Sequence, residues 1–287
     1  MHRGFDASIM WTDQINDFNY SVGGNITYSR FWDWEQYKPR FSNSWDEYRN
    51  SIWHRVGYVN WGYEAIGRFD SWEQIANYPV DNDRKGNRTV VPGDIMYKDQ
   101  NNDGVINYLD ERPIGYRVDS TPTLNFGINL SASWKGFDLA MDWTGSGMTS
   151  WNQCYETARP FQNDGNSPDE VLKDAWHLSD IWDANSPLIP GKFPMVRLNT
   201  DETSAYDKSS YWLHNVTYLK LRNLEVGYTF PKTWLNRTGI SNLRLFVSGT
   251  NLLTLSNLSV MDPECASDNG LDYPPMRVIN IGVNLKF

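Results

Sequence analysis

Long apolar runs are missing from this 287-residue chain. Mean hydropathy is −0.60, and no stretch approaches the roughly 18 apolar residues that a membrane-crossing helix needs. Transmembrane strands escape that test, because they hide their apolar residues at alternate positions. Basic charge is also scarce. Lys and Arg number 26 against 35 Asp and Glu, and the net charge of −9 argues against nucleic acid as a partner. There are two cysteines, Cys154 and Cys265, far apart and without metal-ligand spacing. Sequence leaves open a disulfide, which an oxidising exterior permits, or two free thiols. The four histidines (His2, His54, His177, His214) form no HxxH or HExxH pattern, and GxGxxG, GxSxG and P-loop motifs are absent. Nothing singles out an acid/base pair among the carboxylates, so a glycoside hydrolase ranks last and no enzyme is expected. The first ten residues, MHRGFDASIM, hold no apolar export segment. The expectation is that the chain is the later part of a longer protein.

Aromatic residues and alternation are what the chain has in plenty. Its 14 Trp and 16 Tyr suit interfacial girdles or sugar-stacking surfaces. In residues 277–287, Ile279, Ile281, Val283, Leu285 and Phe287 alternate with Asn280, Gly282, Asn284 and Lys286, a strand with one apolar face. Six further segments alternate: Phe5–Trp11, Tyr20–Tyr28, Phe126–Trp134, Phe137–Trp143, Leu243–Val247, and one over about 211–230. In the last, Leu219 and Leu221 are odd-numbered while Leu224, Val226, Tyr228 and Phe230 are even, so a β-bulge is expected at Arg222-Asn223. The connections alternate in length. Asn16–Asn19, Lys135-Gly136 and Pro231–Ile240 are short; about 34–122, 149–210 and 257–275 are long. Loops of that size are improbable inside a compact soluble domain, whereas an up-and-down barrel has short turns at one end and long loops at the other.

The fold class expected is therefore all-β, a transmembrane antiparallel β-barrel. Phe287 stands as a C-terminal barrel-assembly signal at the periplasmic end, and the three long loops are extracellular. Seven strands cannot close such a barrel, and an open edge in hydrocarbon leaves backbone groups unpaired at several kcal/mol each. Partner strands must come from elsewhere. The competing reading is a secreted, calcium-stabilised β-sandwich that binds carbohydrate.

A metal loop interrupts the first long connection. Asp99, Asn101, Asp103 and Gly104 match D-x-[DN]-x-[DN]-G. Val105 offers its carbonyl, Asn107 sits at position 9, and Asp110 replaces the usual Glu at position 12. These oxygens suit a structural Ca²⁺ at roughly 10⁻⁴–10⁻³ M affinity. A solvated Asn/Asp/Gly turn is the alternative. Arg112-Pro113 rules out the following helix of an EF-hand.

The run Pro92-Gly93-Asp94-Ile95-Met96-Tyr97-Lys98-Asp99 through Asp103-Gly104-Val105-Ile106 resembles a signature of SusC/RagA-type TonB-dependent transporters of Bacteroidota. Asn125–Leu130 with Trp134–Leu139, Tyr218–Pro231 and Leu245–Leu252 resemble later motifs of the same family in order. The resemblance implies that this is the C-terminal portion of an outer-membrane barrel of about 22 strands, with plug and N-terminal domains outside it. It further implies nutrient uptake of oligosaccharides or peptides, a SusD-like lipoprotein lid, and a TonB complex engaged through the absent N-terminal part. The expected lumen-facing set (Asn125, Asn129, Ser131, Asn280, Asn284, Lys286) is neutral-polar apart from Lys286. Trp151, Tyr155, Trp176, Trp182 and Tyr206 in the second long connection either stack on a glycan or a lid, or form that loop's own core. No substrate contact is assigned.

Overall fold

A computed structural model describes every residue except 36, 38, 117–121, 163–164, 199–202, 237–238 and 266–268. Seven long strands form one antiparallel sheet: β1 His2–Ile15, β2 Phe18–Asp33, β3 Leu124–Trp134, β4 Phe137–Asn152, β5 Leu213–Thr229, β6 Asn242–Ser256 and β7 Val278–Lys286. They lie side by side in chain order, with β1 and β7 at the two edges. The seven alternating segments are these strands, extended at both ends wherever polar residues had masked the pattern. The first turn is tighter than expected. β2 resumes at Phe18, leaving only Asn16-Asp17 between the strands, with Asn16 at φ 54°. Lys135-Gly136 turns with φ values of 47° and 91°, the left-handed pair that matches the twist of a two-residue hairpin.

Cross-strand register explains why the alternation matters. Trp11, Val22, Leu130, Met141, Leu224, Gly249 and Ile279 pair successively across all seven strands in one unbroken row. A one-residue slip would send a strand's whole apolar set to the other face. The expected bulge is what keeps β5 in line: register shifts between Leu221 and Asn223 against both β4 and β6. Leu219 and Leu221 thus share a face with Leu224 and Val226; Arg222 is the extra residue against β4, while against β6 the longer path is on β6, through Asn251 and Leu252.

This apolar face is bare. Ile9 is 77% exposed, Trp11 62%, Ile279 65% and Ile281 83%. Covering each such side chain is worth about 1.5–3 kcal/mol, so the face demands an apolar neighbour. At the short-turn end Phe18, Trp134, Phe137 and Tyr228 pair in one row, and Phe230 and Trp234 extend this aromatic belt.

The opposite face carries more charge than the neutral set expected of it. Arg244 on β6 pairs with Asp138 on β4 and, at 2.6 Å, with Glu225 on β5. Asp142 accepts from Asn129 at 2.7 Å. Sequence hid this because each charge is isolated along its own strand and meets its partner only across the ladder.

The two largest connections fold together rather than separately. Tyr63, Ile95, Tyr97 and Ile106 from the first share one core with Val171, Phe193, Tyr206 and Trp212 from the second. Arg197 reaches back to Asp94 and to the Thr89 carbonyl at 3.0 Å, and Arg68 donates to the Gly191 carbonyl at 2.6 Å. Of the five aromatics singled out in sequence, Trp151, Trp176 and Tyr206 are buried, while Tyr155 and Trp182 are exposed. Cys154 and Cys265 are both half-buried and form no disulfide.

Candidate functional site

The metal-type loop hangs from a short strand, Ile95–Tyr97, that pairs with Ala65–Arg68. The far side of the loop is stitched to Asp81, whose N–H donates to the Gly104 carbonyl at 2.8 Å and whose carbonyl accepts from Ile106 at 2.9 Å. Gly104 sits at φ +83°, where a side chain would be strained. Within this frame carboxylate oxygens of Asp99, Asp103 and Asp110 come within 4.8 Å of one another. Asp110 is fully buried and accepts from the backbone of Gln100 and Asn107, each at 2.8 Å. Asp99 accepts from Asn102 at 2.6 Å and from Gly104 at 2.8 Å. The Asn101 side chain and the Val105 N–H hold Asp103 below the usual carboxylate range.

The two amides stand differently from simple ligands. Asn101 gives its oxygen to the Asp103 N–H at 3.0 Å. Asn107 gives its oxygen to the Leu109 N–H at 2.9 Å, capping the 3₁₀ turn Tyr108–Asp110. Its NH₂ group lies 3.3 Å from Asp103 Oδ2 and 3.2 Å from the Val105 carbonyl. Among the described residues no basic side chain pairs with the three carboxylates. The donor set, three convergent anionic oxygens with the Val105 carbonyl adjacent, fits a hard divalent cation.

A neighbouring aspartate answers a different need. Asp83 accepts from the N–H groups of Lys85, Asn87 and Thr89 and from the Thr89 hydroxyl, at 2.7–2.8 Å. Burial raises its pKa, but these donors outweigh burial and hold it at about 2. It is a loop staple whose oxygens are already occupied. Asp94 goes the other way: burial, only partly offset by Arg197, pushes it up to about 6.

Sequence reasoning missed a second constellation. The connection after β6 folds back over the polar face as a strap. Leu258 buries against Trp151, Val216 and Tyr218. Beyond it, Asp262 and Glu264 meet Lys220, which is completely buried, at 2.7 and 2.9 Å. Arg222, freed from the ladder by the bulge, pairs with Glu264 as well and donates to Asn251 at 3.0 Å. Burial raises the Glu264 pKa, yet Arg222 and Lys220 dominate and hold it at about 2. A polar cleft of about 380 Å³ lies alongside, lined among others by Asn125, Asn129, Asp142, Ser146, Tyr218 and Glu264. The signal for this site was the phase slip at Arg222-Asn223; what it served was not legible without the strap.

No family model matches the sequence. The TonB-dependent receptor P3 of Formosa agariphila is 30% identical over 242 residues, which are 78% of this chain and 22% of that protein. The TonB-dependent receptor SusC of Bacteroides thetaiotaomicron is 24% identical over 245 residues, 82% of this chain and 20% of that protein. The chain thus spans about a fifth of the length of the curated relatives it matches. Among solved structures, the RagAB peptide importer in its open-open state superposes with a TM-score of 0.62 at 22% identity, covering 100% of this chain and 28% of that chain. The closed-closed state gives 0.63, with 29% of that chain covered.

Two outcomes follow for the loops. Asp99→Ala with Asp103→Ala should make the 90–115 segment protease-sensitive while the sheet persists, and Ca²⁺ should protect that segment only in the parent protein. Equal protection with and without Ca²⁺ refutes the metal role. The depressed pKa of Glu264 sets the sign for the strap: its ionised form is favoured by folding, so that stability is complete above pH 4.5 and is lost as pH falls towards 2. Hydrogen exchange of residues 257–277 should accelerate across that window. Glu264→Gln should exchange faster at pH 7 and lack the Glu264-dependent increase, so an unchanged profile contradicts the anchoring of the strap by Glu264.

Proposed function

The chain is a relative of the SusC- and RagA-type TonB-dependent receptors, and we propose that it forms wall and outer loops of an outer-membrane nutrient importer. The observation that carries this reading is one apolar face shared in register by seven strands and exposed at Ile9, Trp11, Val226, Val247, Ile279 and Ile281. Acyl chains are the neighbour that such a face fits. The apolar band with an aromatic belt at its short-turn end has the form of a barrel exterior. Further strands and a plug from the rest of the same protein would cover the backbone groups at the edges of β1 and β7.

On this reading the polar face lines the conduit beside the plug, and the segments 34–122, 149–210 and 257–275 are extracellular. A SusD-like lipoprotein closes over them, and a TonB complex supplies energy through a part outside this chain. RagAB is a peptide importer; for this chain the cargo is an oligosaccharide or a peptide. Of the expected donors Asp99, Asn101, Asp103, Val105, Asn107 and Asp110, the three carboxylates and the Val105 carbonyl would hold a structural Ca²⁺, with the Asn101 and Asn107 oxygens engaged by backbone N–H groups. When bound, the ion neutralises the three carboxylates, and the chain's own Asp81 and Gly104 contacts keep the loop in place. A carbohydrate-binding sandwich would need a second sheet over the apolar face. Among the described residues the other sheets are two-stranded pairs.

Orientation is tested by paired charges in the full receptor refolded into bilayers. Leu224→Arg, in the middle of the apolar row, should cost about 2–4 kcal/mol, whereas Asn129→Arg on the polar face should be near neutral. Equal costs refute the assignment of faces. For function, uptake of labelled glycan and peptide pools by cells carrying the receptor should stop when the proton-motive force is collapsed. Uptake that persists rules out TonB coupling.

A further inference from the structure

Arg3 on β1 and Arg30 on β2 stand directly opposite each other in the ladder. Both lie on the apolar face, one step beyond the stacked pair Phe5–Tyr28, whose ring centroids are 5.8 Å apart. Like charges directly opposite each other on paired strands are destabilising. Among the described residues neither arginine makes an ion pair. The acids of these two strands lie elsewhere. Asp6, in register with Thr27, and Asp33, in register with Arg55, belong to the polar face, and Asp13 lies at the turn end. The Arg3 guanidinium lies 5.6 Å from the Trp32 ring and 5.0 Å from the Trp34 ring. Cation–π contact holds it against the face without neutralising it.

The position along the strand says what meets this pair. Arg3 and Asp13 are ten residues apart on β1, roughly 33 Å at the usual rise per residue. A strand tilted by about 40° projects that span onto about 25 Å, the height of a barrel's apolar band. The aliphatic row is thus bracketed by a carboxylate at one boundary and two guanidinium groups at the other. Resting on the orientation proposed above, the arginines stand at the headgroup level of the leaflet on the long-loop side.

We propose that Arg3 and Arg30 form a clamp for the phosphate of an outer-leaflet lipid. A phosphate presents several anionic oxygens, and each planar guanidinium can take two of them, so one group neutralises both arginines at once. Trp32 and Trp34 supply amphipathic rings at the depth where glycerol or sugar joins acyl chain. Acyl chains of the same lipid then lie along Ile9, Val22 and Ile26, which are exposed on that face. Arg3 is on an edge strand and will gain a neighbour in the whole receptor. Arg30 is one strand further in and keeps its surroundings.

The test uses the full receptor, purified in mild detergent and incubated with lipid A monophosphate, dephosphorylated lipid A, or inorganic phosphate, with retained lipid read by native mass spectrometry. The parent receptor should retain the monophosphate at least tenfold better than the dephosphorylated lipid. Arg3→Gln with Arg30→Gln, and Arg30→Gln alone, should lose most of that preference. Arg3→Lys with Arg30→Lys should keep the fold and part of the preference, which separates charge loss from misfolding. No preference in the parent receptor, or a preference unchanged in both glutamine variants, overturns the clamp. Inorganic phosphate competing as well as the lipid also overturns it, since the site would then bind a free anion. A parent receptor recovered soluble without detergent overturns the membrane reading itself. A membrane-embedded receptor with indifferent variants overturns only the clamp.

Discussion

Register across the seven-stranded sheet is the constraint on which everything else depends. A face can be continuously apolar over seven strands only if every ladder is in phase, and phase errors are absolute because side chains alternate with period two. β5 would break the phase if it were regular, since its leucines change parity midway. One extra residue resolves the conflict. That residue, Arg222, then projects from the polar side with no ladder duty. The same local irregularity keeps apolar and polar surfaces apart and delivers a guanidinium to the strap.

Much of this was readable from residue order alone, and the reasons are physical. Alternation over Phe126–Trp134 and Phe137–Trp143 has one meaning once a Lys-Gly turn joins the two segments, because the turn fixes both pairing and register. The slip between Leu221 and Leu224 marked the bulge for the same reason. Asp99, Asp103 and Asp110 come together within a loop whose own hydrogen bonds and contacts with Asp81 shape it. Contacts between residues distant in sequence were not readable. Arg244 meets Asp138 and Glu225, and Lys220 meets Asp262, only through strand pairing or loop return. The amide oxygens of Asn101 and Asn107 were assigned to the ion from spacing, yet hydrogen bonding turns both towards backbone N–H groups.

The polar face illustrates how charge is tolerated in a confined setting. Lys220 is wholly buried, and such a group persists only where anions meet it directly. Two carboxylates from the strap do so, with Arg222 sharing one of them. The strap thereby borders the amide-rich cleft beneath it. Arg244, bridging two acids nearer the turns, rivets three strands without any loop. Each of these three cations is met by carboxylates, whereas Asp142 on the same side meets the amides of Asn129 and Asn223.

The union of the first two long excursions in one core has a consequence for engineering and for divergence. Tyr97, Phe193 and Trp212 are each at most 2% exposed, and they come from both excursions and the root of β5. Grafting one excursion from a relative would pit foreign side chains against a resident half-core, so a chimera should exchange both stretches as a matched set. Natural drift is bound by the same rule: the two stretches must diversify in concert, and the strap is tied in turn to Lys220 and Arg222 through Asp262 and Glu264.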